Sequence, residues 1–428
     1  MAEQNPPAQP AAGSGAAPKP STQNPAFRMM GLPALPRKLP SRNWMIFWAI
    51  TGSFTAAIIY DKREKNRATA KWRRAVAPLA KENIADASQM PRKLTIYIEA
   101  PPGDGLRVTQ DHFIEYVKPV LSASGLDWEF VQGRQQGDVR AVVAEKIRRQ
   151  RSAHEQPDKE LPPTDESIVE GLRKKSNIPG HEGVKGDIII GRHAWKEYIR
   201  GLHEGWLGPL DPPPESIPEV KPVEPSQEEP KPDAEKPEEE KKPERPPQPR
   251  PYNSVEDYAS ATLPSQTPLD LPPAAIIPFP HRLGFTHTFV RLGWFLNRRK
   301  LADNIGREVA AACFAASREW READGVFEQE LALQHEEKDW PKNVWTDEPD
   351  PPKEKIWVSP MVADARIARS MRRFEVLPEH EAAAAAIAVP EEEIEGWIKG
   401  SLRSLWRWGV KSFEPKHLGP NVGNLDDE

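Results

Sequence analysis

Leu94-Thr-Ile-Tyr-Ile-Glu99 alternates with a period of two and runs straight into Pro101-Pro-Gly-Asp-Gly105. Such a run reads as a strand entering a turn-rich loop. Gln110 to Ala123 follows with Phe113, Val117, Val120 and Leu121 at helical spacing, stopped by Gly125. Trp128-Glu-Phe-Val131 is a second short strand. Asp138 opens a helix striped by Val139, Val142, Val143 and Ile147; Arg148, Arg149 and Arg151 stand near its C-terminal end, where the helix dipole favours cations. A short helix from Ile168 to Lys174, a buried-type strand at Gly186-Asp-Ile-Ile-Ile190 and a helix from His193 to Trp206 continue the alternation. That order predicts a mostly parallel α/β layer over residues 91–210.

Downstream, residues 211–250 are dominated by proline and glutamate with almost nothing apolar. Such a stretch cannot bury enough surface to offset its ordering entropy, so it reads as a disordered, extended insert. Residues 251–428 read as a second, α/β-helical part. It holds a strand at Ala274-Ala-Ile-Ile-Pro-Phe279 and a long helix from Arg298 to Arg321 with Ile305, Val309 and Cys313 on one face. A Pro- and Trp-containing loop spans Trp340 to Val358, followed by a helix near Met361 to Phe374. A last helix opens at Pro390-Glu-Glu-Glu393 and closes at Gly409.

Upstream, residues 1–43 are rich in Pro, Ala, Gln and Ser and read as a disordered tail without a signal peptide. Then comes Trp44-Met-Ile-Phe-Trp-Ala-Ile-Thr-Gly-Ser-Phe-Thr-Ala-Ala-Ile-Ile-Tyr60, which has no charge. At ~1.5 Å per residue a helix of this length covers about 26 Å, the short end of what crosses a bilayer. Trp44, Phe47 and Trp48 at one end and Tyr60 at the other suit the membrane boundaries. Gly52 and Ala56 belong to a run of small residues at three- and four-residue spacing. A buried core helix is the competing reading, and the basic flanks on both sides oppose it. One transmembrane helix is therefore expected. Residues 61–90 read as a basic juxtamembrane helix, lying on anionic lipid or serving as a solvated spacer. Basic residues are more numerous after the span than before it, a count that favours a C-terminus on the negative side.

Composition narrows the function classes. The chain has 428 residues, 48 of them proline, and only 38% hydrophobic residues. Ordinary domains carry about 5% proline and 45–50% apolar residues, so a polytopic membrane protein is excluded and part of the chain is not packed core. A net charge of −5 opposes a polycation built for nucleic acid. The lone Cys313 excludes a disulfide or zinc–thiolate framework and reads as a packing residue. No P-loop, no strand-linked G-x-G-x-x-G, no H-E-x-x-H and no nucleophile elbow occurs. No catalytic constellation, metal site or cofactor site is predicted.

One segment stands out. Phe279 to Lys300 gathers Phe285, Phe289, Trp294 and Phe295 with Arg282, Arg291, Arg298 and Arg299. Aromatic rings with interleaved arginines suit a protein interface or an anionic membrane surface. The alternative is that the rings fill the α/β core while the bases cover its edge. Gly284 and Gly293 are expected to break any continuous amphipathic helix here.

The span, the Lys93-Leu-Thr-Ile-Tyr-Ile-Glu-Ala-Pro-Pro-Gly-Asp104 strand-loop, Phe113 to Leu121, Gln136-Gly-Asp-Val-Arg140, Gly191-Arg-His-Ala-Trp-Lys-Glu-Tyr-Ile-Arg-Gly-Leu-His-Glu-Gly-Trp-Leu-Gly-Pro209 and Phe279-Pro-His-Arg-Leu-Gly-Phe285 through Arg298-Arg-Lys-Leu-Ala-Asp303 occur in one order. Together they resemble the fungal fifty-four-kilodalton subunit of the mitochondrial inner-membrane carrier translocase. The resemblance implies a single-span inner-membrane protein with its N-terminus in the matrix and its bulk in the intermembrane space, opposite to the charge count. It implies a non-catalytic role in inserting multispanning proteins. Implied partners are the channel-forming and small chaperone subunits, inner-membrane lipids and an inner-membrane AAA protease. A second, weaker likeness is to the nucleotide-binding half of diacylglycerol and sphingosine kinases. There Lys196-Glu-Tyr-Ile-Arg-Gly-Leu202 falls at the family's acidic residue and Gly-Leu, but Ile190-Gly-Arg-His-Ala-Trp195 replaces the phosphate loop. That likeness implies a lipid-kinase-like shell without kinase activity; a membrane-bound lipid kinase is the opposing class.

Overall fold

The computed structural model describes residues 41–82, 92–159, 162–176, 178, 185–213, 248–345, 354–394 and single residues between 400 and 408. The expected N-terminal tail up to residue 40, most of the Pro/Glu-rich insert and most of the C-terminal helix lie outside the described residues. Two compact units divide the chain, Met1–Ala56 and Ala57–Glu428. In the first, the described residues from Arg42 are helical and exposed. They open helix α1 (Arg42–Val76), whose apolar part is long and uncharged enough to cross a membrane and has no buried residue. Thr51, Ser53 and Thr55 donate to the carbonyls of Phe47, Ala49 and Thr51 at 2.8, 2.6 and 2.8 Å. Their hydroxyls are thereby satisfied within the helix, as a lipid environment requires.

The second unit is built on a six-stranded sheet of order β2-β1-β3-β4-β8-β5. Its strands are β1 (Lys93–Glu99), β2 (Asp127–Gly133), β3 (Gly186–Ile190), β4 (Ala274–Ile277), β5 (Ser317–Glu319) and β8 (Arg372–Phe374); β6 (Glu322–Ala323) and β7 (Val326–Phe327) form a separate hairpin. Parallel pairs run Lys93↔Asp127 to Glu99↔Gly133, Leu94↔Gly186 to Tyr97↔Ile189, and Asp187↔Ala274 to Ile190↔Ile277. Strand β8 extends the parallel set from β4, and β5 closes the edge antiparallel to β8. The fold is thus α/β with a mostly parallel sheet, as the alternation predicts. Strands from both sides of the Pro/Glu-rich stretch share this one sheet.

Both faces of the sheet are covered, which explains why Leu94 through Glu99 are all buried. On one face Leu94, Ile96, Ile98, Ile188 and Ile190 meet α2 (Leu106–His112), a π turn, α3 (Lys118–Ser124) and α8 (Arg298–Phe314), together with Trp72 and Val76 of α1. On the other, Tyr97, Ile189, Ala274 and Ile276 meet α4 (Asp138–Glu155) and α6 (Gly191–Leu207). Between α4 and β3 lies α5 (Asp165–Lys175). Close helix contacts are made by glycines. A Cβ on Gly201 would stand 2.7 Å from the Arg140 carbonyl, and one on Gly205 2.7 Å from Ile147 Cβ.

The juxtamembrane part of α1 belongs to this core. Trp72 is 1% exposed, lies over Gly306 of α8, and donates from Nε1 to Asp303 Oδ1 at 2.8 Å. Three of its basic residues pair within the domain: Lys71 with Asp303 at 2.5 Å, Arg74 with Glu393 at 2.9 Å, and Lys65 with Glu115.

Two expected helices are shorter than their patterns. The one beginning at Arg298 ends at Phe314, where Ala315 takes a left-handed backbone (φ 57), and Ser317–Glu319 is then recruited as an edge strand. The helix near Met361 to Phe374 shrinks to Ala365–Ala368, capped by Asp364, because Arg372–Phe374 pairs with β4 and β5 and buries Phe374 completely. In both cases sheet pairing overrides a local helical tendency.

A Cβ on Gly306 would come within 2.4 Å of Trp72 Cδ1. Gly306→Val is expected to cost roughly 1–3 kcal/mol through overpacking, read as a lower urea midpoint and earlier tryptic cleavage at residues 62–74. Gly52→Val, where nothing lies within 4 Å, should leave both unchanged.

Candidate functional site

In an open α/β sheet, ligands bind outside the carboxyl ends of the strands where the strand order reverses. Here that point is the crevice between β1 and β3, bounded by Glu99, Gly191 and the first turn of α6. Gly191 has φ 85, and a Cβ there would meet His193 Cε1 at 2.6 Å. The His193 ring turns inward, Nε2 lying 3.1 Å from the Glu99 carbonyl; burial lowers its pKa to about 4, so it is neutral.

The backbone N–H groups that could hold a phosphate are already taken by carboxylates of the chain itself. At the start of α6, Glu336 accepts from Arg192 N at 2.9 Å and from Phe279 N at 2.6 Å. At the start of α4, Glu197 accepts from Gly137 N at 2.6 Å, Val139 N at 3.1 Å and Arg140 N at 3.3 Å. Each places carboxyl oxygens where a helix N-terminus would otherwise attract an anion. The Glu99 carboxyl is fully buried beside Glu197, and its oxygens find no hydrogen-bond partner of ordinary geometry among the described residues. Burial first, and then the charge of Glu197, push its pKa well above the usual carboxylate range.

Residues 329–345 and 354–357 cover this crevice. Lys196 Nζ donates to the Trp357 carbonyl at 2.5 Å and pairs with Glu337 at 3.2 Å, while Arg192 pairs with Glu337 at 2.9 Å. Arg200 reaches Glu354 at 2.7 Å. The Lys196 to Leu202 stretch that resembles lipid kinases is thus wholly buried. Cys313 is buried, its thiol pushed up to about 11 by desolvation, and it packs in the core.

The aromatic-basic segment is divided between inside and outside. Phe279 is buried, with ring centroids 5.0 Å from His112 and 5.5 Å from His281. From Gly284 (φ 100) the chain turns outward through a 3-10 turn into α7 (Thr288–Phe295), which contains no buried residue. Phe285 is 92% and Phe289 85% exposed; Phe295 is exposed and Trp294 half-buried. Gly293 does not break this helix, since nothing crowds it. Arg291 bonds only to the Gly284 carbonyl and Thr288 Oγ1, both long, at 3.3 and 3.4 Å.

The other arginines are engaged elsewhere. Arg282 pairs with Asp339 at 3.2 Å and Arg298 with Glu115 at 3.4 Å. Arg299 reaches Asp61 at 3.1 Å and lies over the Tyr60 ring at 5.4 Å. Asp61 also accepts from the backbone of Arg298 and Arg299 at 3.2 and 3.3 Å, capping α8 from α1. The sequence reading missed Asp61, Glu197 and Glu336. Each is an ordinary acidic residue until the fold shows which helix start it meets. The proposed span residues Trp44, Phe47, Trp48, Gly52, Ala56 and Tyr60 are all exposed along α1.

These features define a class: a doubly wound α/β domain on a helix of membrane-crossing length, with its ligand crevice closed by its own side chains. Residues 24–374 match the family model described as "Inner membrane protein import complex subunit Tim54", and the chain belongs to that family. It is 55% identical over 433 residues to the mitochondrial import inner membrane translocase subunit tim54 of Neurospora crassa, covering 93% of this chain and 91% of that one. The Aspergillus oryzae protein of the same name is 43% identical, covering 93% and 99%. That of Saccharomyces cerevisiae is 30% identical, covering 85% and 96%.

Glu336→Ala leaves two buried N–H groups without an acceptor, at about 1–3 kcal/mol for each, so a loss of roughly 2 kcal/mol or more is expected in denaturant melts. The pH dependence has a definite sign. Burial raises the Glu336 carboxyl from 4.5 to about 7 against the pull of its backbone donors. Between those values the folded chain holds more protons than the unfolded one, so this contribution to stability falls as pH rises through about 7. Glu336→Gln should flatten that fall in melts between pH 4.5 and pH 8.

Proposed function

We propose that this chain is a non-catalytic, single-span scaffold of the mitochondrial inner-membrane carrier translocase. It stabilises the complex and supports insertion of multispanning inner-membrane proteins. The observation that carries this reading is the double use of α1. The same helix bears an uncharged run of membrane-crossing length and, further on, the Trp72 anchor of the folded domain. A domain attached in this way to a membrane-crossing run, with the backbone N–H groups at both helix starts taken by Glu197 and Glu336, is suited to binding proteins rather than to turning over a nucleotide.

The tail of residues 1–43 lies in the matrix, and everything after Tyr60 lies in the intermembrane space. Lys65, Lys71 and Arg74 are engaged with carboxylates of the domain, so these three residues do not argue for the opposite orientation. The partners are the channel-forming subunit and the small chaperones that deliver clients, with an inner-membrane AAA protease as a further associate.

On native gels of solubilised mitochondria the chain should co-migrate with the carrier-import channel, and its depletion should shift that channel to smaller species. Protease added to mitoplasts should degrade the chain beyond Tyr60. Protection of that part would reverse the orientation. Transfer of labelled phosphate from ATP to diacylglycerol by the purified chain would overturn the non-catalytic reading.

A further inference from the structure

We propose that Phe285 and α7 form a foot that inserts into the anionic phospholipid surface of the same bilayer that α1 crosses. The proposal rests on the single-span reading above and commits to lipid as the occupant of this face.

Exposure is the starting observation. In a domain whose α6 buries every residue, α7 buries none, and Phe285 in the turn before it and Phe289 within it are almost fully exposed. Phe285 and Phe289 stand one turn apart, and Leu292 and Leu296 continue their side at helical spacing. The backbone thus presents a short apolar stripe of rings and leucines, the composition that seats at the headgroup–acyl boundary.

Position selects the membrane. Tyr60 ends the uncharged run of α1, and the next residue, Asp61, caps α8 through Arg298 N and Arg299 N. Only Leu296 and Asn297 separate Phe295 from that cap. Arg299 lies over the Tyr60 ring itself. The C-terminal end of α7 is therefore held beside the residue that ends the uncharged run.

Charge selects the lipid. The arginines paired to Asp61, Glu115 and Asp339 are neutralised, but Lys62, Arg291 and Lys300 form no ion pair among the described residues and are exposed. These three cations flank the foot without a carboxylate partner among the described residues. Basic groups near the surface are attracted to anionic headgroups.

Because Cys313 is 3% exposed, a new surface cysteine can be labelled selectively in the full chain. An environment-sensitive fluorophore is placed at Phe285→Cys, at Ala49→Cys within the span, or at Leu269→Cys. Leu269, 89% exposed, precedes β4 and so lies at the opposite end of that strand from Phe279 and the foot. The labelled chains are reconstituted into vesicles of phosphatidylcholine with or without a fifth of cardiolipin, carrying nitroxide lipids. The span label should be quenched by deep nitroxides in both. The Phe285 label should be quenched by shallow nitroxides at least twice as strongly with cardiolipin as without, and the Leu269 label should not be quenched. Joint substitution of Lys62, Arg291 and Lys300 by Glu should abolish the cardiolipin dependence, while a melt matching the wild type shows that the fold is intact.

A quenched span label with an unquenched Phe285 label overturns the foot and leaves the single-span reading standing. An unquenched span label instead removes that reading. A Phe285 label that stays in water in vesicles and is shielded only when the other complex subunits are added also overturns the proposal, and assigns the face to a protein.

Discussion

Everything beyond the membrane depends on one contact, the Trp72 ring against Gly306. The indole covers the bare backbone of α8, and its N–H meets Asp303. Eleven residues earlier Asp61 holds the start of the same α8. Two points of attachment, at Asp61 and Trp72, bind α1 along α8, and α8 in turn lies on the face of the sheet that carries Ile96 and Ile188. The folded domain therefore begins within α1. Its first core residues belong to the helix that carries the span.

The chemistry of the crevice follows from a second constraint, the need of buried helix starts for negative charge. A nucleotide-binding relative of this architecture leaves those N–H groups to a phosphate. Here Glu197 and Glu336 occupy them, and Glu99 is buried beside Glu197 with its pKa pushed upward. Arg192, Lys196 and Arg200 fasten the covering segment through Glu337, Glu354 and the Trp357 carbonyl. The resulting network fixes α6 in the middle of the domain at the place where an enzyme would need open space. Membership of an inner-membrane import family accords with such a filled interior.

Much of this architecture was legible in the residues because its signals are local. Strands β1, β3 and β4 are short β-rich runs ended by Pro or Gly, and α4 and α6 carry long apolar stripes, so period and punctuation suffice. The short edge strands were not legible. Arg372–Phe374 and Ser317–Glu319 exist because they pair with each other and with β4, a fact no window of sequence contains. The aromatic-basic segment was readable as unusual but not as divided. Whether Phe279 goes inside while Phe285 and Phe289 go out is decided by the left-handed turn at Gly284 and by the room left beside His112. The roles of Glu197, Glu336 and Asp61 depend wholly on which helix start each one meets in space.

The Trp72–Asp303 bond joins residues 231 apart in the chain. A polypeptide delivered from its N-terminus presents the span and the juxtamembrane helix long before α8 exists to receive them. Until then Trp72 and Val76 are apolar side chains without a partner, beside a membrane and upstream of an unfinished sheet. Long-range closure of this kind makes assembly slow and leaves sticky surface exposed in the meantime. The order of arrival is therefore built into the fold. The part that fixes the protein in place emerges first, and the part that completes its first core contact emerges after the whole Pro/Glu-rich stretch has passed.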